Sequence, residues 1–311
     1  QRYCSGMFLS APTVTAKNEF TVEQGSSVKV TWNSVNGAKS YKVLRKGAND
    51  SSWSTIASDV TDKVYLDKTA ESGSKYYYAV KAINDKYASS YISTELITVL
   101  ATPILTDAVN TTEGVSITWS PVTGAESYSV FRRTLSGAWE NIGTTPSTQF
   151  VDSSENATAT PYLYTVRAVL GDLKSNYMIN GVGNFVNIES IDLLFEEKKE
   201  DNTAFITVAW KGTGADKYEI YRSDNGATAT LLTTVSTTDT QSYIDSAISQ
   251  GSTYTYTIKP IKENKISVTA TSEKLKWEFP PIPAIEVHAT PYYANAEQGD
   301  RIEIMWNGVN L

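Results

Sequence analysis

A tryptophan at the end of an alternating run returns four times along this chain. Trp32, Trp119, Trp210 and Trp306 stand 87, 91 and 96 residues apart, closing the runs VKVTW, VSITW, ITVAW and IEIMW. A period near ninety residues is too long for a helical or leucine-rich solenoid unit, and it fits one small all-β domain per period. Within each run every second side chain is apolar, the signature of a strand with one buried face.

The remainder of each period repeats as well. After the first three tryptophans comes a Gly-Ala turn, then a second strand of the form Tyr-x-(Val/Ile)-x-Arg, beginning at Tyr41, Tyr128 and Tyr218 and ending at Arg45, Arg132 and Arg222. Further on stand Tyr65-Leu-Asp67, Phe150-Val-Asp152 and Tyr243-Ile-Asp245. The runs starting at Tyr76, Tyr162 and Tyr254 follow, again with period two. Several short strands per period, separated by Gly, Asp, Asn and Ser turns, read as a two-sheet sandwich. The repeats divide the chain into an arm over 1–10, complete modules over 11–101, 102–187 and 188–280, and a linker with the start of a fourth module over 281–311. Phe279-Pro-Pro-Ile-Pro283 is the clearest linker, three prolines in four residues favouring a semi-rigid extended segment. The other junctions are short, so neighbouring modules are expected to sit close together. The chain begins at Gln1 and stops at Leu311 inside the fourth repeat, which we read as a piece of a longer protein.

These repeats resemble fibronectin type III modules in the form common in bacterial multi-domain proteins. Trp32, Trp119 and Trp210 match that family's core tryptophan, with Trp306 in the same position of the incomplete repeat, and Tyr41, Tyr128 and Tyr218 match the aromatic residue of its third strand. Tyr76 and Tyr254, preceded by Gly73 and Gly251, match the corner tyrosine whose hydroxyl ties a loop to the sandwich. At Tyr162 the segment Ala157–Pro161 replaces the glycine turn. The resemblance implies an all-β chain of tandem fibronectin type III or immunoglobulin-like β-sandwiches, three complete and a fourth begun. It implies little about function, because this fold hosts many unrelated roles.

Charge and composition exclude several functions. The net charge of −7 argues against sequence-independent nucleic-acid binding and against attraction to an anionic membrane. No run of about eighteen apolar residues is present to span a bilayer. Cys4 is the one cysteine, so no intramolecular disulfide forms, and it reads as a free thiol. His288 is the one histidine. A triad would have to use it, and its strand-like neighbours point to a structural role. One His and one Cys cannot build a zinc site. The cluster Glu196–Asp201 has mixed signs and reads as a solvated loop. No catalytic residue, cofactor or metal is assigned. Asp67, Asp152 and Asp245, like Arg45, Arg132 and Arg222, recur at the same place in every complete repeat, which suits a fold requirement better than catalysis.

Trp53 and Trp139 are the candidate ligand-stacking residues. Each lies in a polar stretch three residues before an isoleucine, Ile56 or Ile142, and module three has Ala229 at that place. An indole so placed can stack on a sugar ring, or it can cover the sandwich edge with the isoleucine beneath; recurrence favours the covering role. The first functional expectation is a non-catalytic spacer or adhesion segment of a bacterial cell-surface or secreted protein, with a protein, a glycan or further copies of itself as partner. The alternatives are a phage tail, fibre or capsid appendage, and the accessory modules of a secreted carbohydrate-active enzyme.

Overall fold

The computed structural model describes residues 8–198, 203–237, 241–278, 287–292 and 301–306. Cys4, Phe279–Pro283 and the end of the mixed-charge cluster lie outside the described residues. Every regular element among those described is a β-strand.

The first repeat supplies β1 (Val14–Thr21), β2 (Gly25–Trp32), β3 (Ser40–Gly47), β4 (Ser54–Val60), β5 (Val64–Asp67), β6 (Lys75–Ile83) and β7 (Ile97–Thr98). They form two sheets, β1-β2-β5 and β4-β3-β6-β7. Alternation decides what lies between them. Val28, Val30 and Trp32 point inward from β2, and Tyr41 and Val43 from β3. Tyr78, Val80 and Ala82 from β6 complete the core. The Trp32 and Tyr41 ring centroids are 5.5 Å apart.

The second repeat rebuilds this arrangement with β8 (Leu105–Thr111), β9 (Gly114–Trp119), β10 (Ser127–Thr134), β11 (Glu140–Thr145), β12 (Gln149–Asp152), β13 (Tyr162–Leu170), β14 (Leu173–Lys174) and β15 (Val182–Gly183). Its sheets are β8-β9-β12 and β11-β10-β13-β14, with β15 also on β13. Val115, Ile117 and Trp119 meet Tyr128, Val130, Tyr164, Val166 and Ala168 in the core.

The third repeat contributes β16 (Phe185–Lys198), β17 (Thr203–Thr213), β18 (Lys217–Asp224), β19 (Thr230–Ser236), β20 (Ser242–Asp245), β21 (Thr253–Ile261), β22 (Ile266–Val268), β23 (Ala270–Thr271) and β24 (Leu275–Lys276). Ile206, Val208 and Trp210 are buried along β17, which pairs antiparallel with β20. The Trp-bearing strand keeps one register throughout: Val28 opposes Asp67, Val115 opposes Asp152, and Ile206 opposes Asp245. In the fourth repeat β25 (Val287–Tyr292) and β26 (Arg301–Trp306) form a hairpin in which Trp306 opposes Val287 and His288 opposes Met305. The side chains of that hairpin lie outside the described residues. The protein is thus all-β, a tandem array of fibronectin type III-like sandwiches.

By contact the chain divides into two compact units. The first holds Gln1–Ile188, Gly212–Tyr218 and Lys259–Thr269; the second holds Glu189–Lys211, Glu219–Ile258 and Ala270–Leu311. Within the first unit, repeats one and two join directly. Ser72 Oγ donates to Thr123 O at 2.7 Å, and Thr102 N donates to Ser26 Oγ at 2.9 Å. Gly73 and Gly124 abut with φ of 86° each, and a methyl built on Gly124 would sit 2.6 Å from the Gly73 Cα. No side chain fits between these backbones, and the φ itself favours glycine. In the same unit, Lys265 reaches Asp107 Oδ1 at 2.6 Å, Ala108 O and Gly183 O. Burial pushes the Asp107 carboxyl up, but the Lys265 bond and charge, the Ala108 N–H and the Lys262 charge together outweigh it and hold the group below its ordinary value.

Candidate functional site

Two kinds of polar cluster recur, and they differ in what chemistry they leave open. The first binds each sandwich together. Arg45 on β3, Asp67 on β5 and Tyr78 on β6 converge across the two sheets. Arg45 Nη1 and the Tyr78 hydroxyl both donate to Asp67 Oδ2, each at 2.8 Å. Thr69 donates its backbone N–H and its hydroxyl to Oδ1 at 3.0 and 2.7 Å. In the second repeat Asp152 Oδ2 receives Arg132 Nη1 at 2.8 Å and the Tyr164 hydroxyl at 3.0 Å, and Oδ1 receives both donors of Ser154. In the third, Asp245 Oδ2 receives Arg222 Nη1 at 2.8 Å and the Tyr256 hydroxyl at 2.7 Å, and Oδ1 receives the backbone N–H of Ala247. Ala247 has no hydroxyl to add, and Arg222 Nη1 also donates to its carbonyl.

The electrostatics follow from this geometry. Burial alone would push the Asp67 and Asp152 carboxyls up, but the hydroxyl, guanidinium and backbone donors outweigh it and hold both below the ordinary carboxylate value. Burial and the adjacent carboxylate push the phenols of Tyr78 and Tyr164 well above their ordinary value; burial and the Asp245 bond do the same for Tyr256. A buried carboxylate with four donors on its two oxygens is ionised and has no lone pair to offer a substrate. Asp67 and Asp152 are in that state, so the arrangement locks sheets together and carries no acid–base chemistry. Among the described residues no group of three or more His, Cys, Asp or Glu side chains is placed to hold a metal ion.

The arginines also cover the corner tyrosines. Arg45, Arg132 and Arg222 lie over the rings of Tyr76, Tyr162 and Tyr254 at 4.7, 4.6 and 5.2 Å. The Tyr76 hydroxyl accepts from Glu71 N at 3.4 Å, and the Tyr254 hydroxyl accepts from Ser249 N at 2.5 Å. Tyr162 makes no such bond. There Asn184, wholly buried, stitches the loop: it donates to Ala157 O and Thr160 O and accepts from Tyr162 N at 2.9 Å. Tyr41 and Tyr128 have a further role that the sequence did not suggest. Their hydroxyls accept from Val35 N and Val122 N at 2.9 Å and pin the turn before the strand. Tyr218 is buried, with a methyl on Gly212 meeting its hydroxyl oxygen at 2.9 Å.

The second cluster lies on the outward face of the β3–β6 and β10–β13 sheets and contains both candidate stacking residues. Trp53 meets the edge of Tyr91, centroids 5.3 Å apart, and Trp139 meets Tyr177 at 6.3 Å. Lys46 Nζ lies 5.7 Å from the Trp53 ring centre, and Arg133 Cζ lies 5.0 Å from that of Trp139. Lys81 and Arg167 lie over Tyr91 and Tyr177 at 5.2 and 4.5 Å. Both indoles are half-buried, and Trp139 Cη2 rests against Gly181, where an added methyl would meet it at 2.8 Å. Ile56 and Ile142 pack against the cores. The rings flanking the indoles are therefore tyrosines from 38 residues downstream, together with a cation.

Comparison with known proteins places this array. No family model matches the chain. It is 24% identical over 307 residues to an amylopullulanase of Thermoanaerobacterium saccharolyticum, covering 81% of this chain and 24% of that protein. It is also 31% identical over 99 residues to an amylopullulanase of Thermoanaerobacterium thermosulfurigenes, covering 32% of this chain and 5% of that protein. The chain thus spans a quarter or less of these relatives. Among solved structures, it is similar to the two fibronectin type-III domain segment of chicken tenascin, with 13% identity, 54% of this chain, 97% of that chain and a TM-score of 0.32. It is similar too to an Fn3-like protein from Clostridium thermocellum, with 29% identity, 27% of this chain, 90% of that chain and a TM-score of 0.23. The fold assignment rests on the strands and registers described above. The chain consists of tandem fibronectin type III-like modules, similar in sequence to parts of a multi-domain bacterial enzyme.

Proposed function

We propose that these modules are a non-catalytic accessory segment of a secreted carbohydrate-active enzyme of the amylopullulanase kind, with the catalytic domain elsewhere in the polypeptide. One observation carries the reading: four-fifths of this chain aligns with a stretch amounting to about a quarter of such an enzyme. The buried carboxylates agree with it, since Asp67 and Asp152 are fully engaged by donors. The hydrogen-bonded junction of the first two repeats suits a spacer that fixes one module against the next. Among the described residues no helix is long and apolar enough to cross a membrane. The virion alternative has no counterpart among the relatives named above. The reading is tested by assaying the chain alone for release of reducing sugar from pullulan and starch, and by reading the flanking gene sequence. No hydrolysis by the chain and a glycoside hydrolase domain in the same reading frame are expected. Hydrolysis by these residues, or a reading frame without any catalytic domain, overturns it.

A further inference from the structure

We propose that the outward face of the β3–β6 and β10–β13 sheets binds an acidic polysaccharide, through cations that aromatic rings hold in place without neutralising them. The chain carries a net charge of −7, yet this face is basic. Among the described residues, Lys46 and Lys81 in the first repeat, and Arg133 and Arg167 in the second, form no ion pair with a carboxylate, whereas Arg45, Arg132 and Arg222 on the inward side all do. Ring faces fix the outward cations instead. A carboxylate partner would have cancelled the charge and used the N–H donors. A ring positions the cation by its quadrupole and leaves both available. Arg133 Nη1 donates to the Leu135 carbonyl, a neutral acceptor that leaves the guanidinium charge uncancelled. Lys42 stands directly opposite Lys81 in the β3–β6 register, a like-charge juxtaposition that costs stability unless an anion bridges it.

The third repeat shows that the fold does not require this arrangement. It has Ala229 at the tryptophan position and Ser223 at the first cation position, yet it forms the corresponding strands. The stack is therefore an addition to repeats one and two. Its ring faces are occupied by cations, which leaves little room for bases to stack and argues against single-stranded nucleic acid. An extended polymer with a carboxylate on successive sugars satisfies the cations of one repeat, and a second stretch of it engages the other with gain from multivalency. This inference concerns the charge on a sheet face and does not depend on the accessory-segment reading.

The test uses the whole chain and polygalacturonate in affinity electrophoresis and titration calorimetry, with its methyl ester and an oligothymidylate as comparators. Binding to polygalacturonate is expected, weakening by roughly tenfold or more as salt rises from about 20 to about 200 mM, and it is lost on the methyl ester. The double variants Lys46→Gln/Arg133→Gln and Lys81→Gln/Arg167→Gln, each checked for an unchanged β circular-dichroism spectrum, should each weaken binding by roughly tenfold. Lys29→Gln, on the other sheet, should not. Equal binding of the methyl ester, tighter binding of the oligothymidylate, wild-type affinity in the folded variants, or no binding at low salt each overturns the proposal.

Discussion

Replacing Asp152 by Asn is the sharpest perturbation of the buried network, because it changes charge and donor pattern at constant volume. Asp152 is 4% exposed and accepts four hydrogen bonds, two on each oxygen. An amide turns one of those oxygens into a donor. In one orientation it faces Arg132 and the Tyr164 hydroxyl; in the other it faces Ser154 N and Oγ. The hydroxyls can rotate to accept, but the guanidinium and the backbone N–H cannot, so one buried donor is left unpaired either way. That costs about 1–3 kcal/mol, and weakening of the charge-assisted bonds adds about 1 kcal/mol. Arg132 keeps Glu140 at 2.7 Å and is 16% exposed, which argues for the lower part of the range seen on breaking buried pairs. We expect a loss of about 2–4 kcal/mol, or roughly 10–25 °C for a sandwich of this size. Calorimetry of the whole chain should show one transition move down. Hydrogen exchange should place the loss in β9, β12 and β13. A change below about 0.5 kcal/mol would refute the reasoning, because the carboxylate would then not be holding the sheets.

The pH profile should show the same network from another side. Asp67 and Asp152 have folded-state values below their unfolded ones, so their stabilisation is complete above about pH 4 and disappears as pH falls through the folded values. Tyr78, Tyr164 and Tyr256 are raised, so stability should also fall above about pH 10. A urea midpoint independent of pH from about 3 to 11 would contradict both. Gly124→Ala sets a methyl against the Gly73 backbone at positive φ and should cost about 2–4 kcal/mol. Increased exchange at Ser72–Gly73 and Thr123–Gly124 would locate it, and a neutral substitution would mean the junction is loose. Tyr254→Phe should destabilise by about 1 kcal/mol and Tyr162→Phe by less, because the Tyr254 hydroxyl makes the corner bond and that of Tyr162 does not. Equal effects in urea titrations would count against that distinction.

The repeat made the sandwiches legible. Alternation around each tryptophan predicts which side chains turn inward, and Val28, Val115 and Ile206 do so in one register against the recurring aspartates. Recurrence also marks those aspartates and the arginines as parts of the fold. It does not reveal that they bond to each other, because Arg45 and Asp67 lie 22 residues apart on different sheets, and only packing of the two sheets brings them together. Their third member, Tyr78, sits in the recurring Tyr-x-Tyr pattern but reads there simply as a core residue. The substitute for the missing corner bond at Tyr162 is illegible, since Asn184 lies in the second repeat without a counterpart in the others. The basic–aromatic stacks lie between these cases. Lys46 and Arg133, Lys81 and Arg167, and Tyr91 and Tyr177 recur 86 or 87 residues apart, as Trp53 and Trp139 do. Linking the tryptophans to those partners needs the strand pairing of β3 with β6 and of β10 with β13.

The claim that each indole anchors its own two-layer domain meets its most direct trial in hydrogen-exchange mass spectrometry of Trp119→Ala in the whole chain. Deleting this ring should remove about 3–5 kcal/mol. Protection should then collapse across β8 to β13 while β2, β3 and β6 stay near wild type. Protection retained in β9 and β10, or lost equally in both sandwiches, would contradict the account.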